Sequence, residues 1–113
     1  MDDCLFCKII SKEIPSAKVY EDDFVYAFND INPQSPVHVL IIPKTHINSA
    51  ADITAENSTL VAHVFEAAAK IAKQLELTNG FRIVTNCGKF GCQSVHHLHF
   101  HLLSGKQLSE KMD

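Results

Sequence analysis

Four of the seven histidines, His96, His97, His99 and His101, fall within six residues of one another. Imidazole serves three kinds of chemistry near neutral pH: metal ligation, proton transfer and nucleophilic attack. The segment 95–103, VHHLHFHLL, alternates polar and apolar residues and is expected to be a strand. Side chains alternate across a strand, so His97, His99 and His101 should share one face. Leu98, Phe100 and Leu102 should then pack into the core from the other. A buried row of imidazoles is costly unless each ring has partners. A polar, solvent-facing strand would explain one histidine, but three at strict period two beside a glycine loop point to a site. His38 supplies a fourth imidazole, and His96 falls off the shared face.

The loop 86–94, NCGKFGCQS, precedes this run. Asn86, Gly88, Gly91, Gln93 and Ser94 offer side-chain donors, flexible backbone and exposed N–H groups. Such a loop can form a concave anion nest. Glycine loops also serve as plain turns, so the weight comes from its position before the histidines. Cys4-Leu5-Phe6-Cys7 has the spacing that lets two thiolates hold one metal. The pair needs two further ligands to close a tetrahedron. The alternative is two reduced thiols packed as small hydrophobes. A redox pair would want a thioredoxin-like βαβ context, which is missing.

The elements that must position these groups follow from pattern. Residues 4–11 read as a short helix ending before Pro15. Residues 17–23 and 24–30 read as two strands around an acidic turn. Residues 30–36, DINPQSP, are a loop, and 38–43, HVLIIP, a strand buried on both faces. Residues 54–77 form the one long helix, with Thr54 as N-cap and Asn79-Gly80 as the stop. Leu60, Val61, Val64, Phe65, Ala68, Ile71, Ala72 and Leu75 make its apolar stripe. This stripe is core packing, and His63 lies on the solvated side. Residues 81–86 read as a fourth strand, and the last ten residues as a loose tail. Strands at both ends around one long helix indicate an α+β domain with an antiparallel sheet.

With 113 residues, 46% apolar and 20% charged, the chain suits one domain with one core. Its net charge of -3 argues against a nucleic-acid partner, which wants a basic face. The start MDDCLFCKII is acidic where a signal peptide is basic, and no apolar run is long enough to span a bilayer. A cytoplasmic location with no membrane partner is the expectation. Reduced thiols or a metal site then account for Cys4, Cys7, Cys87 and Cys92 better than disulfides do.

The run His97-Leu98-His99-Phe100-His101-Leu102-Leu103 resembles the histidine-triad signature. FCKIISKEIPSAKVYEDD, AFNDINPQSPVHVLIIPKTHI, the long helix and the TN and QSV segments around the loop extend the resemblance through nearly the whole chain. The sequence is identified as a member of the histidine triad family, in its nucleotide-binding branch. The resemblance implies a single domain over 1–113, ordered over about 4–104. Its fold would be a five-stranded antiparallel sheet with one long central helix and a short N-terminal helix. It implies a homodimer whose two sheets join into one.

The implied activity is hydrolysis at the α-phosphorus of a purine nucleoside phosphoramidate or a related nucleotide conjugate. His99 would attack, forming a covalent nucleotidyl-histidine. The His97 carbonyl would fix the His99 tautomer, and His101 would donate to a phosphate oxygen. His38 and Ser94 complete the expected catalytic set. Asn86, Ser94 and Val95 would lie at the phosphate. Asp30 would hold the ribose hydroxyls, although the residues alone favour a turn-capping role before Asn32-Pro33. Leu5, Phe6, Ile9, Phe28 and Ile31 would line the base, with plain core as the alternative for Ile9 and Phe28. By likeness to relatives carrying an N-terminal CxxC, Cys4, Cys7, His46 and His97 would hold a structural zinc. No cofactor is implied for the chemical step.

Some residues depart from the family pattern. Cys92 stands where glycine is common, and a positive φ there would strain it. Lys89-Phe90 is a bulky loop tip, His96 replaces a tyrosine of some relatives, and no tryptophan-containing tail is present. Other readings are a nucleotide-binding scaffold with vestigial catalysis, a dinucleoside polyphosphate hydrolase, and a metalloprotein whose histidine cluster is itself the metal site.

Overall fold

The computed structural model describes residues 3–113. Its strands are β1 (Lys18–Glu21), β2 (Val25–Asn29), β3 (Val37–Pro43), β4 (Arg82–Val84) and β5 (Phe100–Ser104). They form one antiparallel sheet in the order β1-β2-β3-β5-β4. Two α-helices, α1 (Leu5–Ile10) and α2 (Ser58–Gln74), accompany it. A short 3-10 turn at Ala50–Asp52, capped by the Ser49 hydroxyl, was not foreseen from sequence.

The sheet is covered on both faces, which is why β3 reads as an unbroken apolar run. Val39 and Ile41 face the α2 side, with Val64, Ala67, Ala68 and Ile71. Leu40 and Ile42 face the α1 side, with Phe6, Ile9, Tyr26 and Phe28. Ile71 is fully buried, and truncating it to alanine should cost about 2–5 kcal/mol. On β5, Phe100 and Leu102 point into the α2 core. His101 therefore points to the α1 face, beside its register partner Leu40.

The strand expected over 95–103 begins only at Phe100, so His97 and His99 precede it. The physical reason lies in β3. Ile41 pairs with Phe100, but two residues later Pro43 has no N–H to extend the ladder. Its carbonyl accepts instead from the His97 ring at 2.9 Å, and Leu98 N–H donates to the Ile47 carbonyl at 2.6 Å. The alternation survives without the strand: His97 and His99 are buried, and Leu98 sits in the α2 core. Strands β1, β2 and β4 are shorter than their sequence runs by one or two residues at each end, and β3 gains Val37.

Helix α2 starts at Ser58, because Thr54 does not cap it. The Thr54 carbonyl accepts from Asn57 and Ser58 N–H, while Asn57 Oδ1 accepts from Thr54 N–H at 2.7 Å. Its end is set by Glu76 rather than by Asn79-Gly80. Glu76 is left-handed at φ 56°, with Leu77 N–H on the Ala72 carbonyl and Glu76 N–H on the Lys73 carbonyl. This is a Schellman closure without glycine. Helix α1 closes the same way at Lys12, φ 70°. Within the stripe, Ala67 is buried in place of Phe65, which stays half exposed and meets Phe100 edge-on. Leu75 lies beyond the last helical residue and is partly exposed. His63 is not simply solvated, because its ring stacks on Phe24 with centroids 3.8 Å apart. No regular element follows Ser104, although Arg82 donates to the Ser109 carbonyl and ties the tail to β4.

Candidate active site

Three of the predicted histidines meet on the α1 side where β3 and β5 run together. His99 is 3% exposed, and its Nδ1 lies 2.7 Å from the His97 carbonyl. A carbonyl can only accept, so Nδ1 carries the proton and Nε2 keeps a free lone pair. The Thr85 hydroxyl donates to the His99 carbonyl at 2.8 Å, and the Phe6 ring meets the imidazole edge-on at 5.1 Å. Together they fix where that lone pair points.

A second chain of bonds fixes His101. Gln34 N–H donates to His38 Nδ1 at 3.0 Å. His38 therefore carries its proton on Nε2, which lies 2.8 Å from His101 Nδ1. His101 Nδ1 accepts, so the proton of a neutral His101 sits on Nε2. Burial, then the charges His99 and His38 would carry, push His101 down to about 4, while Asp30 opposes. Burial also lowers His38, again opposed by Asp30. The pair is neutral at pH 7 and poised to donate outward from His101 Nε2.

Asp30 caps the turn, one of the two readings weighed for it. Its Oδ1 caps the turn by accepting from Asn32 N–H at 2.8 Å. Its Oδ2 stays 3.5 Å from His38 Nε2, one side chain away from His101.

The loop after β4 is a tight, internally bonded turn. Gln93 N–H donates to the Gly88 carbonyl and Cys92 N–H to the Lys89 carbonyl. Asn86 Nδ2 donates to the Gly91 carbonyl at 2.7 Å, and Gly88 N–H to Gln93 Oε1 at 2.9 Å. Gln93 Nε2 also reaches the Asn48 and Val95 carbonyls. Cys92 does adopt positive φ, 62°, as the left-handed residue of this turn. Gly91 has no room for a side chain, since a Cβ there would stand 2.5 Å from the Cys87 carbonyl oxygen. Ser94 is exposed and Val95 half-buried at the loop's exit. Lys89 and Phe90 project into solvent.

The residues expected around a base divide into two groups. Phe6, Ile9 and Phe28 are buried together, with Phe6 and Phe28 edge-on at 5.7 Å. Leu5 and Ile31 are 44% and 92% exposed and stand outside that cluster. They can form only the open rim of a pocket. A cavity of about 570 Å³ opens elsewhere, between Glu76–Arg82 and Leu103–Leu108, and contains none of the predicted site residues.

The CxxC thiols belong to a second cluster. Cys4 Sγ and Cys7 Sγ lie 3.3 and 3.5 Å from His97 Nδ1, and Cys7 Sγ lies 3.4 Å from His46 Nδ1. A tetrahedral zinc with sulfur at about 2.3 Å and nitrogen at about 2.0 Å has sulfur–nitrogen edges of roughly 3.5 Å. The outer nitrogens are oriented to match. His97 Nε2–H donates to the Pro43 carbonyl and His46 Nε2–H to Asn48 Oδ1, leaving both Nδ1 lone pairs facing the sulfurs. Burial and the neighbouring Cys4 push the Cys7 thiol up to about 11, as expected of two sulfurs that need a cation to ionise together.

Asp30, His38 and His101 also bring ligand atoms together. The hydrogen bond behind His38 has the wrong sense for a metal. The Gln34 amide faces His38 Nδ1 with a donor, which forces the proton onto Nε2, the atom a metal would need. The first cluster could hold a cation, and the second is arranged around shared protons. Sequence reasoning did not single out Thr85, Pro43, Asn48 or the Gln34 amide. Two of these, Pro43 and Gln34, act through the main chain, which leaves no mark on residue type.

A model of the HIT domain matches residues 11–108. The purine nucleoside phosphoramidase of Escherichia coli K12 is 44% identical over 108 residues, covering 95% of this chain and 91% of that protein. The 14 kDa zinc-binding protein of Brassica juncea is 50% identical over 109 residues, covering 95% and 96%. A histidine triad protein from Clostridium difficile superposes with a TM-score of 0.96 at 49% identity, covering 98% of this chain and 97% of that one. The alternating histidines, the sheet that carries them and these relatives together make the chain a member of the HIT domain family, the histidine triad proteins.

Proposed function

We propose that the protein hydrolyses purine nucleoside phosphoramidates or related nucleotide conjugates at the α-phosphorus, with His99 as nucleophile. The observation that carries this is the His99 Nδ1–H bond to the His97 carbonyl, which leaves Nε2 as the nitrogen that carries the lone pair of the neutral ring. In the first step Nε2 forms a bond to phosphorus. The bond to the leaving group breaks, and that group departs with the electron pair and takes up a proton. In the second step water attacks the nucleotidyl-imidazole, releasing the nucleotide and restoring the lone pair. Imidazole both attacks and leaves well, which divides one hard displacement into two easier ones. His101 Nε2–H donates to a phosphate oxygen, joined by loop donors at Ser94 and Val95. Donors aimed at charge developing in the transition state are commonly the largest catalytic contribution.

Asp30 Oδ2 accepts from ribose hydroxyls, and the base lies between Phe6, Ile9 and Phe28 and the rim formed by Leu5 and Ile31. Cys4, Cys7, His46 and His97 hold a structural zinc, which joins α1 to the segment carrying His99 and supplies no step. The free edge of β4, with Phe65 and Phe81 half exposed, supports pairing of two sheets in a homodimer. No described helix is long and apolar enough to cross a membrane. Replacing His99 with alanine should reduce turnover of an adenosine phosphoramidate at least a thousandfold while nucleotide binding persists. Turnover near that of the parent would overturn the mechanism. Tight nucleotide binding with negligible turnover by the parent would favour a scaffold.

A further inference from the structure

Asp30 Oδ2, His38 Nε2 and His101 Nδ1 meet at one proton. His38 Nε2–H has two acceptors in reach, the His101 ring at 2.8 Å and the Asp30 carboxylate at 3.5 Å. Its other nitrogen cannot exchange roles, because Gln34 N–H occupies it. The His38 ring is 5% exposed, so no bulk water relaxes the competition. The two acceptors are unequal in kind: His101 is closer, but a carboxylate attracts an N–H more strongly than a neutral ring does. A carboxylate also has a finite acceptor capacity, and Oδ1 already accepts from Asn32 N–H. Oδ2 is the atom left for a ligand and also the atom nearest the His38 proton.

From this we infer that Asp30 and His38 couple sugar recognition to phosphate activation, with His38 a positioning residue. The inference rests on the proposed nucleotidyl transfer and on ribose binding at Asp30. Vicinal hydroxyls donating to Oδ2 satisfy the carboxylate and weaken its pull on the His38 proton. That proton then commits to His101 Nδ1, which holds the His101 proton on Nε2, facing the phosphate. Without the hydroxyls, the Asp30 carboxylate competes for the His38 proton and weakens its bond to His101 Nδ1. His101 is then free to carry its proton on Nδ1 and to present a lone pair to the phosphate oxygen. The sugar hydroxyls thus act on kcat as well as on KM, although they lie away from the reacting bond.

The test compares adenosine 5′-phosphoramidate with its 2′,3′-dideoxy analogue, on the parent enzyme and on His38→Asn. On the parent, the dideoxy substrate should lose about tenfold in kcat, a fraction of the 10²–10³ that a whole missing donor costs. In His38→Asn both substrates should be slow, with a kcat ratio near one and the KM ratio retained. A parent kcat ratio of one, with the whole effect in KM, overturns the coupling and leaves ribose binding standing. A tenfold kcat ratio that persists in His38→Asn overturns the route through His38. No turnover of either substrate by the parent, or no discrimination at all, overturns the underlying functional reading together with the coupling.

Nitrogen-15 spectra of the parent protein give a readout that does not need the variant to fold. Adding AMP should sharpen the Nε2–H form of His101, and 2′,3′-dideoxy-AMP at saturation should not. Identical spectra with the two nucleotides overturn the inference.

Discussion

Acidification should destabilise this protein through His101, and the size follows from its position. The ring is half-buried beside His38 and His99, which lowers it from 6.5 to about 4. A group lowered on folding binds fewer protons in the folded state across that interval. Stability therefore rises with pH between about 4 and 6.5 and is fully present above 6.5. At roughly 1.4 kcal/mol per pH unit, the interval amounts to about 3 kcal/mol lost on going from pH 7 to pH 4. That is a large share of the 5–15 kcal/mol typical of a domain. Other groups titrate in the same range, so the clean quantity is a difference. Urea unfolding of the parent and of His101→Asn, at matched zinc and over pH 4 to 8, gives it. The stability gap between them should shrink by about 3 kcal/mol towards pH 4. A gap constant across the range would refute the argument that this ring is held neutral.

Two further perturbations address other parts of the site. Converting Cys4 and Cys7 to serine should abolish zinc binding by elemental analysis and lower Tm, while measurable hydrolysis survives; retained zinc would disprove the assigned ligands. Cys92→Gly should stabilise the loop by about 0.5–1 kcal/mol in denaturant unfolding, because it removes left-handed strain of 1–2 kcal/mol and returns part as unfolded-chain entropy. A loss of stability would mean that the thiol makes contacts outweighing the strain.

Period-two spacing in residues 95–103 was enough to find the histidine face, even though the regular strand covers only Phe100–Ser104. The face is set by chain alternation, and alternation persists in extended chain without ladder bonds. The CxxC pair was legible from its spacing, His46 and His97 as its further ligands came from resemblance, and the 3.3–3.5 Å sulfur–nitrogen spacings agree with that set. The end of α2 was misread because Asn79-Gly80 was taken as the stop signal, whereas Glu76 accepts left-handed backbone itself. The start of α2 was misread because Thr54 and Asn57 cap each other in a preceding turn. Least legible were the groups that fix tautomers. The Pro43 carbonyl sets His97 and the Gln34 amide sets His38, yet any residue could supply that carbonyl and any residue other than proline that amide, whereas the His97 carbonyl at His99 was expected from the resemblance. His63 was misjudged because Phe24, which covers it, is nearly forty residues away in sequence.

The most direct test of the central claim is to trap the covalent intermediate. The enzyme is mixed with a fast-leaving adenosine phosphoramidate, quenched within one turnover under conditions that preserve phosphorus–nitrogen bonds, digested and sequenced by mass spectrometry. The account predicts one nucleotidyl group, on His99, appearing and decaying at rates consistent with kcat, and absent in His99→Ala. A nucleotidyl group on another residue, or steady turnover with no covalent species at a time resolution that would capture it, would contradict it.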